Sequence, residues 1–327
     1  MRAVLCKRLD GPEALVIEDI PTAEPGAGEV AVAVRVAALN FFDTLITRGK
    51  YQQKPDLPFS PAGEIAGVVT RVGPGVSRLA VGDRVTAYLG WGGAREEVIV
   101  CSEAAIPIPD SVSDEAAAGV SITYGTAIHG LKDRGALQPG ETVAVLGAAG
   151  GAGLAAIEIA KVLGARVIAV ASSAEKLAIC RDHGADEVID YAKEDLKQAL
   201  RDRTGGEGVD VVYDCVGGDA AEPSLRALKW NGRFLVVGFA SGTIPKLPLN
   251  LLLVKGVAAL GVFWGEAVKR DPAAHRANME TVLQAVAEGR LKPRIHAAYP
   301  LEKIVEAIGV LERREATGKV VVRVCGS

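Results

Sequence analysis

From about Thr123 onward, short apolar runs rich in β-branched residues alternate with helix-patterned segments. The runs are Val143–Leu146, Val167–Val170, Val209–Tyr213 and Phe234–Val237, and the helical patterns include Gly153–Leu163 and Glu175–His183. This alternation constrains the fold more than any other feature. Strands apolar on both faces must be covered by helices on both sides, and parallel strands need right-handed crossovers to join them. The expectation is an α/β doubly wound parallel sheet over residues 123–262.

Residues 1–122 have another rhythm. Alternating runs (Val30–Val36, Ile65–Val72, Arg84–Tyr88, Glu97–Cys101) are separated by Glu24-Pro25-Gly26 and Gly73-Pro74-Gly75, which predicts a compact β-barrel-like domain. Amphipathic segments at Asn278–Glu288 and Leu301–Leu311 and a final strand, Lys319–Val324, complete the chain. At 327 residues, 49% of them apolar, the chain has enough material for two sizeable cores. Its net charge of −3 gives no electrostatic reason to expect nucleic acid or an anionic membrane as partner. Cys6, Cys101, Cys180, Cys215 and Cys325 are scattered, without a C-x-x-C pair, as in a reduced cytoplasmic protein. Met1-Arg2 leads straight into strand-like sequence, so no signal peptide is expected. The apolar Leu249–Trp264 is interrupted by Lys255 and glycines and reads as buried strands, not a membrane span.

The stretch 147-GAAGGAG-153 falls between a strand and a helix. Gly147 permits a tight turn, Gly150 and Gly151 let backbone approach a pyrophosphate, and Gly153 permits close helix–sheet packing. Ala149 and Ala152 belong to the same turn. A glycine-rich turn alone is weak evidence, but strand, turn, helix and next strand within about 30 residues are what a dinucleotide-binding unit requires. In NAD-preferring sites an acid about 20 positions on takes the ribose hydroxyls. Here Ala171 stands in that place, followed by Ser172 and, a turn later, Lys176. A 2′-phosphate meets no repulsion there and finds a hydroxyl and a positive charge, so the expected cofactor is NADPH. The competing readings are a capping box of Ser172 with Glu175 and a solvated Lys176. Tyr191 lies against the adenine ribose or is ordinary packing.

Taken together, 38-ALNFFDT-44, 61-PAGEIAGVV-69, 81-VGDRV-85, 121-SITYGTA-127, 147-GAAGGAG-153 and 318-GKVVV-322 make the whole chain resemble one known group. It is the zinc-free quinone oxidoreductase (zeta-crystallin-like) branch of the medium-chain dehydrogenase/reductase superfamily. The resemblance implies a GroES-like catalytic domain over 1–122, completed by 263–327, and a Rossmann cofactor domain over 123–262. It also implies a homodimer through the Rossmann sheet edge, for which 257-VAALGVFWG-265 is suited. The superfamily's zinc alcohol dehydrogenases take their catalytic metal with a cysteine, a histidine and a second cysteine. Those positions here are Asn40, Gly63 and Ala118, and a zinc site needs three protein ligands, so no metal is expected.

Without a Lewis acid, hydride should enter an acceptor that is already electrophilic: a quinone or, alternatively, an enone, 2-alkenal or enoyl thioester. By resemblance, Asn40 and Asp43 lie at the nicotinamide end, with Thr123 and Thr126 following the domain junction. Val216, Val237, Phe239, Phe263 and Trp264 line the cofactor, and Lys319 reaches its phosphates. Tyr51 is the best donor to a substrate oxygen, because a phenol is neutral at pH 7. Phe42, Trp91 and Trp264 would wall the substrate, although single aromatics more often serve the core. An NADPH-binding structural or RNA-binding crystallin is the reading from another class, and the acidic charge balance disfavours RNA.

Overall fold

The parallel sheet forms as the alternation requires. In a computed structural model of the chain, which describes residues 1–324, six strands pair in parallel. They run Glu187–Asp190, Arg166–Ala171, Thr142–Leu146, Val209–Asp214, Leu228–Val236 and Ala258–Gly261 across the sheet. Counted along the chain that order is 3-2-1-4-5-6, so the glycine turn leaves the strand where the order reverses, the place where such sheets bind ligands. The helices Gly151–Val162 and Ala174–Asp182 follow the first two strands. Ile157, Ile168, Leu200, Tyr213 and Phe234 are among the residues sealed in this core.

The second sheet is mixed and seven-stranded, and it belongs to the GroES-like part. Its long central strand, Glu29–Leu39, pairs on one side with Glu64–Val72. On the other side it is shared between Glu97–Cys101 near its start and Lys319–Arg323 near its end. Ile295–Pro300 runs parallel to Lys319–Arg323, while the remaining pairings are antiparallel. Val30, Val32 and Val34 are fully buried on one face, and Ala31, Ala37 and Ala38 are fully buried as well, so the strand is covered on both faces along much of its length.

The chain divides into two compact units. One comprises Met1–Ile122, Val268–Gly289 and the chain from Pro293; the other comprises Thr123–Ala267 and Arg290–Lys292. Residues 263–267 and Arg290–Lys292 therefore group with the parallel sheet and not with the C-terminal part of the first unit.

Two stretches differ from expectation. Leu249–Lys255 is a helix, bracketed by extended Pro248 and left-handed Gly256, and Leu249, Leu253 and Val254 are 76%, 81% and 65% exposed. Only Ala258–Gly261 of this region is a strand, and it is the sheet's edge. A run of leucines has no period to separate helix from strand, and leucine favours the helix. The helix Asp114–Ile128 was hidden for a similar reason: Ala117, Ala118, Val120, Tyr124 and Ala127 are all buried, which leaves no polar face to mark a period. Among the described residues, no helix is long and apolar enough to cross a membrane. Cys325 lies outside the described residues; Cys6, Cys101, Cys180 and Cys215 are free thiols.

Candidate active site

In the first unit, strand register delivers three polar side chains to the end of Glu29–Leu39. Val320 pairs with Leu39, which brings Lys319 alongside residue 40, and Glu64 pairs with both Ala38 and Tyr88. Lys319 Nζ donates to Glu64 Oε1 at 2.7 Å, to Asn40 Oδ1 at 2.6 Å and to the Leu39 carbonyl at 3.0 Å. Asn40 Nδ2 donates to Glu64 Oε1 at 2.9 Å, and the Ile122 amide donates to Glu64 Oε2 at 2.7 Å. Lys319 and Glu64 are almost completely buried. An ion pair in that position is tolerable only because the remaining hydrogen-bonding capacity is also met. The Lys319 ammonium has spent all three hydrogens, so the expected reach to cofactor phosphates gives way to an internal ion pair. Gly119 lies beside the lysine stem, where a Cβ would come 3.2 Å from Lys319 Cγ.

Asp43 sits one turn into the helix Phe41–Ile46 and is fully buried. Its carboxylate accepts from the Asn40 amide at 2.8 Å and from the Ala62 amide at 2.9 Å, which fastens Ala62 in a left-handed conformation (φ 67°). Burial pushes its pKa up to about 6, against the pull of those two amides and the Lys319 charge. Asp43 has no exposed edge and each of its oxygens holds a backbone amide, which suits a structural part where the sequence suggests a reacting one.

Phe42 and Tyr51 stack obliquely, with ring centroids 5.4 Å apart, and pack with Trp91 against Cys6, Ile46 and Phe59. Burial and the Asp43 charge raise the Tyr51 pKa, so the phenol stays neutral at pH 7, and its hydroxyl has no hydrogen-bond partner among the described residues. The neighbouring Tyr88 is pushed up to about 12 by burial and by the Tyr51 and Glu64 charges. Of the three positions that the resemblance sets against zinc ligands, Asn40 is committed as above and Ala118 is buried. At Gly63 a Cβ would lie 2.7 Å from both the Gly90 oxygen and the Phe42 ring. Among the described residues, no cluster of three His, Cys, Asp or Glu is placed to hold a metal.

In the second unit, parallel strands send all their carboxyl ends to one edge, and the expected cofactor residues gather there. Gly147 follows Thr142–Leu146, Ser172 follows Arg166–Ala171, and Tyr191 follows Glu187–Asp190. Val216 lies beyond Val209–Asp214, Val237 and Phe239 beyond Leu228–Val236, and Phe263 beyond Ala258–Gly261. Gly147 takes φ 66°, and a Cβ on it would meet Val216 Cγ2 at 2.6 Å. A Cβ at Gly153 would meet the Gly147 oxygen at 2.4 Å, whereas one at Gly150 would meet nothing nearer than 3.5 Å. Gly153 thus serves packing, while Gly150 faces space. No side chain caps the helix Gly151–Val162, which leaves the amides of Gly151, Ala152 and Gly153 and the positive end of the helix dipole for an anion. Ala149 is buried beneath the turn.

The cap of the next helix is Ser173, whose Oγ accepts from the Lys176 amide at 3.3 Å. Ser172 is therefore free of the capping role and is exposed, and the Lys176 ammonium has no partner among the described residues. Tyr191 is 48% exposed, and its amide donates to the Ala171 carbonyl at 3.2 Å. Thr123 is buried and Thr126 half-buried, one turn apart on the helix Asp114–Ile128. Trp264 corrects another expectation. It is 6% exposed and closes over Gly125, where a Cβ would come within 2.7 Å of the indole, so it is core of this unit and not an open wall. Phe263 is 52% exposed.

Two organising carboxylates escaped the sequence reading. Glu64 was visible only as part of a motif, with no sign of its partner 255 residues away. Asp214 accepts from the Val216 and Gly217 amides, both at 2.8 Å, and so shapes the loop against Gly147; burial raises its pKa.

Comparison with known proteins agrees with this geometry. Residues 26–110 match the alcohol dehydrogenase GroES-like domain and residues 151–288 the zinc-binding dehydrogenase family. A quinone oxidoreductase-like protein 2 homolog of Nematostella vectensis is 45% identical over 98% of this chain and 88% of its own length. The Escherichia coli quinone oxidoreductase, solved with NADPH, is 31% identical with a TM-score of 0.90, covering 99% of this chain and all of that one. A structure described as an NAD-dependent alcohol dehydrogenase is 33% identical with a TM-score of 0.91, again covering 99% of this chain and 100% of its own. Two domain families in the right order and a close relative along nearly the whole length place the chain in the quinone oxidoreductase branch of the medium-chain dehydrogenase/reductase superfamily.

Proposed function

We propose that the protein is a cytoplasmic NADPH-dependent quinone oxidoreductase that works without a metal. The observation that carries the cofactor choice is the end of the second parallel strand. Ala171 stands where an acid would repel a 2′-phosphate, and Ser172 and Lys176 are both unengaged. The glycine turn suits a pyrophosphate, since Gly150 faces open space and the amides of Gly151, Ala152 and Gly153 are left without a side-chain cap. Reduced nicotinamide, when bound, supplies the hydride. Asn40 and Tyr51 then present hydrogen-bond donors to the charge that develops on the acceptor oxygen. Phe42 and Trp91 supply apolar surface for a flat ring, and Thr123, Thr126, Val216, Val237, Phe239 and Phe263 border the cofactor. Metal independence rests on the donor set: an amide, a glycine and an alanine offer no thiolate or imidazole.

A panel of a naphthoquinone, an ortho-quinone, a 2-alkenal and an acyl thioester, each with NADPH and with NADH, tests the reading. Quinone reduction with NADPH preferred is expected. Turnover confined to the alkenal or thioester would move the protein to its alternative substrate class. Lys176→Glu should raise KM for NADPH at least tenfold while leaving that for NADH within about twofold; equal changes would remove the phosphate role.

The sheet's unpaired edge, Ala258–Gly261, and the exposed Leu249, Leu253 and Val254 support a homodimer formed through this face. Sedimentation should give a dimer, and Leu253→Glu should shift it towards monomer.

A further inference from the structure

We propose that the buried Glu64–Lys319 pair is a positioning device that locks the Asn40 amide so that its second hydrogen points to the acceptor oxygen. The inference rests on the oxidoreductase reading above.

The argument is one of donor and acceptor matching. An ammonium only donates and a carboxylate only accepts. Asn40 Oδ1 faces Lys319 Nζ at 2.6 Å, and its Nδ2 faces Glu64 Oε1 at 2.9 Å. Turning the amide over would set NH2 against the ammonium and oxygen against the carboxylate, so only one orientation is tolerable. Both clamping groups are themselves fixed. Glu64 Oε2 is held by the Ile122 amide at 2.7 Å, and Lys319 Nζ also donates to the Leu39 carbonyl at 3.0 Å. The carboxamide nitrogen carries two hydrogens and has spent one. The other has no acceptor among the described residues, although Asn40 is only 9% exposed. A nearly buried, rigidly aimed and unspent donor is the arrangement that stabilises an oxyanion without reorganisation. In the step it serves, hydride and its electron pair pass to the acceptor, which is reduced while the nicotinamide is oxidised. The new charge settles on the acceptor's oxygen, where Asn40 donates a hydrogen bond and gives up no proton; solvent water supplies the proton afterwards.

The chain has four asparagines, at 40, 231, 250 and 278, so selective nitrogen-15 labelling gives a short set of side-chain amide resonances. In the ligand-free wild type, one Asn40 hydrogen should appear far downfield of its partner. Adding 1,4-naphthoquinone with oxidised NADP should move the partner. Movement on adding NADP alone, with no further change from the quinone, would overturn the proposal in favour of a cofactor contact. In Glu64→Gln/Lys319→Met, which removes both charges together, the separation should collapse and kcat for the quinone should fall about 10- to 100-fold with little change in NADPH affinity. Asn40→Ala should cause a similar loss, and combining it with the pair replacement should add almost nothing. Additive losses would show that the pair does not act through Asn40. An absence of quinone turnover in the wild type would instead sink the oxidoreductase reading. The resonances of Asn40 would still judge the lock, and an unchanged separation in the double variant would refute it.

Discussion

Each unit buries one glutamate, and the two are neutralised in different ways. Glu64 faces a lysine ammonium, with a side-chain amide and a backbone amide completing its shell. Glu158, in the middle of the helix Gly151–Val162, accepts from the Tyr124 hydroxyl at 2.7 Å and the Lys292 amide at 3.0 Å, and its other oxygen is 2.6 Å from His183 Nδ1. Burial and the Glu158 charge drive the Tyr124 pKa well above its usual value, so that phenol is a neutral donor. The first arrangement stores a full opposite charge in the interior. The second spreads the balance over a phenol, a backbone amide and an imidazole. A fixed buried cation fits a part that must keep one orientation. A diffuse shell fits a part whose task is to tie one helix to its neighbours.

Breaking the fixed pair should have the largest effect. Lys319→Met leaves Glu64 uncompensated and should cost about 3–5 kcal/mol in urea unfolding, most of which Glu64→Gln/Lys319→Met should restore. Glu158→Gln should cost about 1–3 kcal/mol, because its partners keep donors or find water. Equal costs in the two units would erase the contrast.

The smallest effect concerns titration within the first unit. Burial lowers the His275 pKa to about 4, so the unfolded chain takes up its proton first and stability falls as pH drops from 6.5 towards 4. Asp43 has the opposite sign. Its pKa is raised to about 6, so its contribution is fullest below 3.8 and is lost as pH rises through 6. Between pH 7 and 5 the two slopes oppose each other. His275→Leu should therefore gain on the wild type by about 1–2 kcal/mol over that interval, read from unfolding midpoints; a constant difference would remove His275 from the acid response.

Most of the fold was legible because it rests on local periodicity. Val209–Asp214 and Arg84–Tyr88 announce themselves in runs of a few residues, and the glycine turn at 147–153 needs only its flanks. The parts that were not legible depend on partners far away in sequence. Nothing near Lys319 indicates that Glu64 and Asn40 will consume its hydrogens, since strand register brings them together. Ser172 and Ser173 are adjacent and chemically alike, and only backbone geometry made the second the cap. Leu249–Lys255 was misread because six apolar or amide-bearing residues in a row carry no period, and the flanking Pro248 and Gly256 decided the element.

Gly63 has a consequence for redesign. A β-carbon there would press on the Gly90 oxygen and the Phe42 ring at 2.7 Å. Installing a histidine by one substitution would therefore yield a steric clash before it yielded a ligand, and the neighbours would have to change first. A metal centre could be built at this place only by opening space at positions 42 and 90 together with the new ligand, so the close packing around one glycine guards the chemistry of the whole site.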